Sequence, residues 1–284
     1  MRLGRALLLV SAILAAASSA RAETTLKGAI EQGSLVIGRT EPGAKVALDG
    51  KALPVSSGGL FAIGFDRDHG PRATLAVTTP GGKTETMELV VAPRDWNIQR
   101  IEGIAPALVT PPPEAMARIR REIALKAASR PVDTDEEWFA GTFIWPAKGT
   151  ISGVFGSQRV YNGQPKNPHY GVDVAAPTGA AIVAPADGIV RLAEPDMYFE
   201  GGLVFIDHGQ GVISMMMHMS RIDVKQGEHV RQGQPIGAVG KTGRATGPHL
   251  HWGMVWRDAR VDPSLLVKGV AARGAVPGTA VGGD

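Results

Sequence analysis

Two histidines lie one residue apart in the stretch GPHLHWGM, residues 247–254. Side chains alternate between the two faces of a β-strand, so His249 and His251 would point to the same face, with their Cα atoms about 6.6–7 Å apart. Two imidazole rings at that spacing can share a small cavity, where histidine serves as a metal ligand or as an acid–base group. Two surface histidines on a sheet would have the same spacing, so the rest of the sequence must decide.

Three further residues with suitable chemistry precede this pair. His169 and Asp173 lie four residues apart in NPHYGVDVAAP, and His218 lies in MMMHMS. Two imidazoles and one carboxylate are a common three-ligand set for zinc, with a fourth position left for water. On a straight strand His169 and Asp173 would stand roughly 13 Å apart, too far for one ion. Gly171 lies between them, and a bend or bulge there would bring them together.

The stretches HYGVD, HMS and TGPHLH, in this order and at these intervals, closely resemble the lysostaphin-type (LytM-like) zinc endopeptidases of bacterial cell walls. The resemblance extends over about residues 143–266, and the three motifs together are highly specific. It implies that His169, Asp173 and His251 hold one zinc ion per chain.

The resemblance also implies that the remaining two histidines, His218 and His249, form the catalytic pair. One of them would accept the proton of the zinc-activated water, and the other would polarise or protonate the scissile amide. An unperturbed histidine pKa near 6.5 suits either task at neutral pH. The sequence does not assign the two roles.

The function implied by the resemblance is a zinc metalloendopeptidase that hydrolyses peptide bonds of peptidoglycan, in cross-links or in stem peptides. A second possibility is a non-enzymatic, wall-binding activator of cell-wall amidases, because some relatives have lost the site. The complete set of ligands and catalytic candidates favours hydrolysis. A third possibility is a zinc-storage or sensing protein, which a closed four-ligand site without a groove would favour. The motifs do not determine which bond is cut.

The first residues, MRLGRALLLVSAILAAASSARAET, have the form of a secretory signal peptide, with a short basic region, an apolar stretch and an A-x-A cleavage site. We therefore expect residues 1–22 to be removed on export. The mature protein would then lie in the periplasm, in the cell envelope or outside the cell. The apolar stretch is too short to span a membrane, so no stable membrane insertion is expected after cleavage.

Composition limits the partners and the kinds of site. The chain has 30 Lys and Arg and 27 Asp and Glu, but Arg2, Arg5 and Arg21 belong to the signal peptide, which leaves 27 of each. This balance gives no support for a nucleic-acid partner. The chain has no cysteine, which excludes disulfides and thiolate metal sites. The oligomeric state is not indicated.

The predicted fold is mainly β. Short alternating strands with turn signals predict a small N-terminal β-sandwich over residues 23–93. Residues 94–140 are predicted to be a proline-led helical linker, with apolar positions that pack on a neighbouring domain. Residues 141–268 are predicted to be a mostly antiparallel β catalytic domain with an open groove, and residues 269–284 a disordered tail. Because every motif lies in the catalytic domain, a fragment lacking residues 23–130 is expected to retain hydrolysis.

Overall fold

The computed structural model describes residues 23–101, 112–130 and 134–267. The signal peptide predicted for residues 1–22 and the tail predicted for residues 269–284 lie outside them. The described chain is mainly β, with one α-helix and short 3₁₀ turns, as the sequence predicts.

Two antiparallel sheets form the N-terminal unit. Its strands are β1 (Thr25–Lys27), β2 (Leu35–Arg39), β3 (Lys45–Leu48), β4 (Lys51–Leu53), β5 (Leu60–Gly64), β6 (Arg72–Thr78) and β7 (Thr84–Val90). One sheet has the order β1-β2-β5 and the other the order β4-β3-β6-β7. In β6, buried Ala73, Leu75 and Val77 alternate with more exposed residues, so one face of that sheet packs inward. Phe61 of β5 and Leu75 belong to one apolar core, consistent with the predicted β-sandwich.

The segment after the N-terminal unit holds β8 (Ile98–Ile101) and α1 (Met116–Ala128). The helix was predicted, and the prolines that precede it suit a helix start because they carry no N–H to satisfy. Of the apolar residues expected to pack, Ile119 is buried, whereas Ile123 is 55% exposed and Leu125 40%. Strand β8 was not predicted.

Polar contacts attach α1 to the C-terminal part of the chain. Arg118 donates to the Asp196 carbonyl oxygen at 2.6 Å, and Lys126 forms an ion pair with the largely buried Glu200. The helix therefore packs on its neighbour, as predicted, but through charged groups more than through an apolar face. Among the residues that the structure describes, no helix is long and apolar enough to span a membrane.

A ten-stranded antiparallel sheet dominates the C-terminal unit. Its strands belong to the series β9 (Thr150–Gly153), β10 (Gln158–Tyr161), β11 (Gln164–Pro165), β12 (Gly171–Ala175), β13 (Ala181–Val183), β14 (Gly188–Met197), β15 (Gly201–Asp207), β16 (Val212–Ile222), β17 (His229–Val230), β18 (Pro235–Val239), β19 (His249–Trp256) and β20 (Ala259–Val261). The main path is β17-β14-β15-β16-β19-β12-β9, with β13, β18 and β20 paired beside it. Strands β10 and β11 instead join β8 in a small separate sheet, where β10 runs parallel to β8.

The two β units share one apolar core. Phe65 and Trp252, from opposite halves of the chain, both belong to the larger buried cluster. Gly64 lies against Trp256 so closely that a Cβ at position 64 would be 2.8 Å from the indole Cε3. The N-terminal unit is therefore packed on the larger sheet over an apolar interface.

His208, at the end of β15, is a fully buried part of this core. Its Nδ1 donates to the Asp187 carbonyl oxygen at 2.7 Å, and its Nε2 lies 2.9 Å from the Ser214 hydroxyl. A carbonyl only accepts, so the neutral ring carries its proton on Nδ1 and accepts from Ser214 on Nε2. Burial lowers the pKa of His208 to about 4.

This buried imidazole should make the protein less stable in mild acid. Between pH 6.5 and 4 the unfolded chain binds a proton at His208 that the folded chain does not, so the free energy of unfolding decreases as pH falls through this range. We expect a contribution of roughly 2 kcal/mol between about pH 7 and pH 5. The free energy of unfolding, measured by urea unfolding, should depend less on pH in His208→Gln than in the wild type. The exposed His229→Gln variant should keep the wild-type dependence, and an equal loss in both variants would contradict the assignment.

Candidate functional site

The two histidines of the opening motif lie on β19 and face the same way, as their spacing predicts. In the antiparallel pair β12–β19, His251 is directly opposite Asp173 and His249 is opposite Ala175. Strand β16, on the other side of β19, carries His218, whose ring centroid lies 4.7 Å from that of His249. Three neighbouring strands thus contribute to one cluster.

Three of the predicted residues bring a ligand atom to one point. His169 Nε2 lies 3.0 Å from Asp173 Oδ1 and 3.0 Å from His251 Nδ1, and the last two atoms are 2.9 Å apart. Donors bound at 2.0–2.1 Å around a tetrahedral zinc ion would be about 3.3 Å apart, so the spacing needs to change by only a few tenths of an ångström. The side chains keep 12–24% exposure, which leaves the point accessible from solvent. The residues fit a small divalent metal ion.

His169 reaches this point because it lies before β12, whose first residue is Gly171. The backbone of His169 exchanges hydrogen bonds with Gly156 and Ser157, each 2.8 Å long. Its Nδ1 donates to the Val154 carbonyl oxygen at 3.0 Å, which leaves Nε2 directed at Asp173. His169 does approach Asp173 closely, as Gly171 between them led us to expect. The approach is possible because His169 lies before the first residue of β12 and is not part of the straight strand.

The three atoms carry more lone pairs than protons. With Nδ1 of His169 committed to Val154, neutral His169 presents a lone pair at Nε2 toward the Asp173 carboxylate and His251. Burial opposes ionisation, but hydrogen bonds and charge from the two histidines outweigh it and hold the pKa of Asp173 far below its usual range. Burial also opposes the charge on His169, yet the bond to Asp173 raises its pKa. The cluster therefore favours a positive charge at its centre.

His218 is held in an uncommon backbone conformation. Its φ is +65°, in the left-handed region that side chains other than glycine rarely adopt. The N–H donates to the Glu200 carbonyl oxygen at 2.8 Å, and Nδ1 donates to the Thr242 carbonyl oxygen at 2.9 Å. This leaves Nε2 unprotonated in the neutral ring. Burial, together with the neighbouring histidines, lowers the pKa of His218 to about 4, so the ring is neutral at physiological pH.

His249 has a similar arrangement. Its Nδ1 lies 2.9 Å from the Gly247 carbonyl oxygen, and its Nε2 lies 3.7 Å from Asp173 Oδ1. A carbonyl at Nδ1 places the proton there and leaves Nε2 free to accept one. His218 and His249 thus both have Nδ1 bonded to a backbone carbonyl, and their rings lie beside the three converging atoms.

Sequence analysis did not identify the groups that orient these rings. The carbonyls of Val154, Thr242 and Gly247 belong to the backbone, and no side-chain motif marks them. The hydroxyl of Thr242 also accepts from the Gly202 N–H and donates to the Met219 carbonyl oxygen, each at 2.9 Å. The turn-forming glycines of KTGRATGP were the signal available in the sequence, and they do not specify which carbonyl faces a ring.

Known proteins are similar to this chain over the region that holds the cluster. The profile described as peptidase family M23 matches residues 167–263, a range that includes all five clustered side chains. A solved structure from Pseudomonas aeruginosa assigned to peptidase M23 is 32% identical, with a TM-score of 0.65. The match covers 84% of this chain and 95% of that one.

The chain belongs to peptidase family M23. The resemblance found in the three motifs is thereby confirmed. The agreement with the Pseudomonas aeruginosa structure also extends well beyond the residues that the family profile matches, into the N-terminal half.

Two curated relatives are similar over parts of their length. Peptidoglycan DD-endopeptidase ShyC of Vibrio cholerae is 43% identical over 104 residues, which are 36% of this chain and 24% of ShyC. Cell division protein DipM of Caulobacter vibrioides is 31% identical over 204 residues, which are 69% of this chain and 31% of DipM. The matched stretches thus span less than a third of either relative.

Gly171 gives a direct test of this M23 site. A Cβ at that position would lie 2.5 Å from His251 Nε2 and 2.6 Å from the Trp252 carbonyl oxygen, so Gly171→Ala must displace the His251 ring. We expect divalent-metal affinity, measured by competition with a chelator, to fall about tenfold or more. Gly70→Ala is the control, since a Cβ there meets no atom within 4 Å. Wild-type affinity in folded Gly171→Ala would show that His251 does not contribute to metal binding.

Proposed function

We propose that this M23 protein is an exported zinc metalloendopeptidase that hydrolyses peptide bonds of peptidoglycan, in cross-links or stem peptides. The observation that carries the proposal is the convergence of His169, Asp173 and His251, with the free nitrogens of His218 and His249 beside them. A storage site would have four protein ligands and no acid–base groups, whereas this cluster has three ligands and two such groups.

His169, Asp173 and His251 would hold the zinc ion, one per chain. Zinc, when bound, supplies Lewis acidity that acidifies water and polarises a carbonyl at neutral pH. The low pKa of Asp173 keeps its carboxylate ionised, and the Val154 carbonyl keeps His169 Nε2 available as a ligand.

The two remaining histidines would transfer protons. The carbonyls of Thr242 and Gly247 hold the Nδ1 protons of His218 and His249, so the Nε2 atom of each ring can accept a proton from the nucleophile or return one to the leaving amine. Which ring acts first is left open, because both present the same tautomer. No nucleophilic side chain is required by this scheme.

Similarity to ShyC, whose name states a peptidoglycan DD-endopeptidase activity, supports the substrate class. Peptidoglycan lies outside the cytoplasm, so export through the predicted signal peptide, to the periplasm or beyond, is part of the proposal. The proposal includes no nucleic-acid partner, since the mature chain carries no excess of basic residues.

Digestion of purified peptidoglycan tests the function. The zinc-loaded protein should convert cross-linked muropeptides to smaller species whose masses show one water added across a peptide bond, and mass spectrometry identifies the bond. Asp173→Ala should abolish the products, because three ligands leave no redundancy. Unchanged muropeptides after incubation with zinc-loaded protein would contradict the proposal.

Alanine variants of the two β19 histidines should fail differently. His251→Ala should lose both zinc and hydrolysis, whereas His249→Ala should keep zinc and lose activity by about 10²–10⁴, the usual contribution of a positioned acid or base. His218→Ala should behave like His249→Ala. The free-energy cost of the double variant to catalysis should be smaller than the sum of the two single costs, because both residues act on one proton-transfer path. Elemental analysis of zinc per chain, beside hydrolysis rates, distinguishes the roles. Zinc loss in His249→Ala with retention in His251→Ala would reverse them.

The similarity to DipM keeps a second candidate function in view. That match covers more of the chain than the match to ShyC, and the name of DipM describes a cell division protein rather than a hydrolase. A non-enzymatic activator of cell-wall amidases would accelerate a purified amidase and leave peptidoglycan intact when incubated alone. Hydrolysis by the protein alone, lost in Asp173→Ala, would rule this candidate out.

A further inference from the structure

The metal-ligand candidate His169 depends on the segment of residues 154–157. That segment contacts it at three points: the Val154 carbonyl holds the ring at Nδ1, and the backbones of Gly156 and Ser157 hold the main chain on either side. His169 has no place in the ten-stranded sheet, whose nearest strand begins at Gly171. The position of its Nε2 is therefore set by this segment.

The other side of the segment is held by the N-terminal half of the chain. Arg67 lies two residues after Phe65, in the N-terminal unit, and is 4% exposed. Its Nε donates to the Gly156 carbonyl oxygen at 2.9 Å. Two residues after Gly156, the Gln158 N–H donates to the Asn97 carbonyl oxygen at 2.9 Å, and β8 pairs with β10 from this position onward. Gly156 thus accepts from Arg67 at its carbonyl and donates to His169 from its amide.

Trp96 completes this contact. Two guanidinium groups lie over its ring, with Arg67 Cζ at 5.1 Å and Arg94 Cζ at 4.7 Å from the ring centroid. Gly156 has φ +82°, and a Cβ there would be 2.0 Å from Trp96 Cε3, so only glycine fits. Arg94 also pairs with Asp262 at 2.9 Å, which ties the stack to the C-terminal unit.

We propose that Arg67 is a positioning residue for the metal site. Through the hydrogen bond from Arg67 to Gly156, the N-terminal unit helps to orient His169. A buried guanidinium is costly unless its donors are satisfied, and here one donor is satisfied by the backbone that holds His169. The inference rests on the proposed function in one respect, that His169 is a zinc ligand. It also revises the expectation that a fragment lacking residues 23–130 retains hydrolysis, because Arg67, Trp96 and Asn97 all lie within the removed residues and the fragment would bind zinc more weakly.

The test compares zinc affinity in the full mature chain, with the zinc ion alone as the probe. Arg67→Met keeps the apolar stem and removes the donors, and we expect zinc binding, measured by chelator competition, to weaken about tenfold. Arg72→Met is the matched control, since Arg72 is exposed in the same unit and pairs with the exposed Glu88. Trp96→Leu should shift zinc affinity in the same direction by a smaller factor.

A purely structural role would give a different pattern. Arg67→Met would then lower the melting temperature but leave the zinc dissociation constant unchanged well below it. Our proposal also predicts that excess zinc restores the maximal hydrolysis rate of Arg67→Met, so that the variant differs in zinc requirement and not in turnover.

Each result decides a separate point. Wild-type zinc affinity in Arg67→Met, or in Trp96→Leu if the first variant does not fold, would overturn the positioning role and leave the proposed hydrolase intact. Failure of the wild-type chain to bind zinc would overturn both proposals. A weakened affinity in Arg72→Met equal to that in Arg67→Met would show a general effect of the N-terminal unit, and it would overturn the specific role of Arg67.

Discussion

The clustered residues are arranged around three side-chain atoms, from His169, Asp173 and His251, that lie within 3.0 Å of one another. Hydrogen bonds join His169 and His251 to Asp173, and the Asp173 carboxylate would stabilise a positive charge placed between them. The sheet fixes Asp173 and His251 through adjacent strands, where directly opposed residues are forced into proximity. His169 lies outside the sheet, and hydrogen bonds with residues 154–157 hold it instead.

Much of the site could be predicted from the sequence because the spacing of its residues reflects strand geometry. The H-x-H pair needs only the alternation of a strand to share a face, and both residues lie on β19 as expected. The order of the three motifs was sufficient to recognise the family. The mainly β fold followed from short alternating segments between turn residues, and the helix from its periodicity.

The remaining features could not be predicted, for physical reasons. The tautomers of His218 and His249 are set by backbone carbonyls, and every residue in the chain has one, so composition carries no signal. Strand β8 pairs with β10 across a long stretch of sequence, and a four-residue strand without strict alternation is not distinctive. Arg67 appears in the sequence as one charge in a polar turn, and its burial depends on a partner 89 residues away. The contacts of helix α1 could not be predicted for the same reason. Lys126 pairs with Glu200 of the C-terminal unit, whereas the apolar Ile123 is exposed.

The parallel pairing of β8 with β10 has a consequence for the order of folding. Parallel strands require a long crossover, and the contacts that complete the His169 region join residues separated by 78 to 89 positions. Closing such loops costs chain entropy before any contact compensates for it, so we expect these contacts to form late. The N-terminal unit is built from hairpins and is synthesised first. We therefore expect the N-terminal unit to form before the region around His169, so that the three converging side chains come together late in folding.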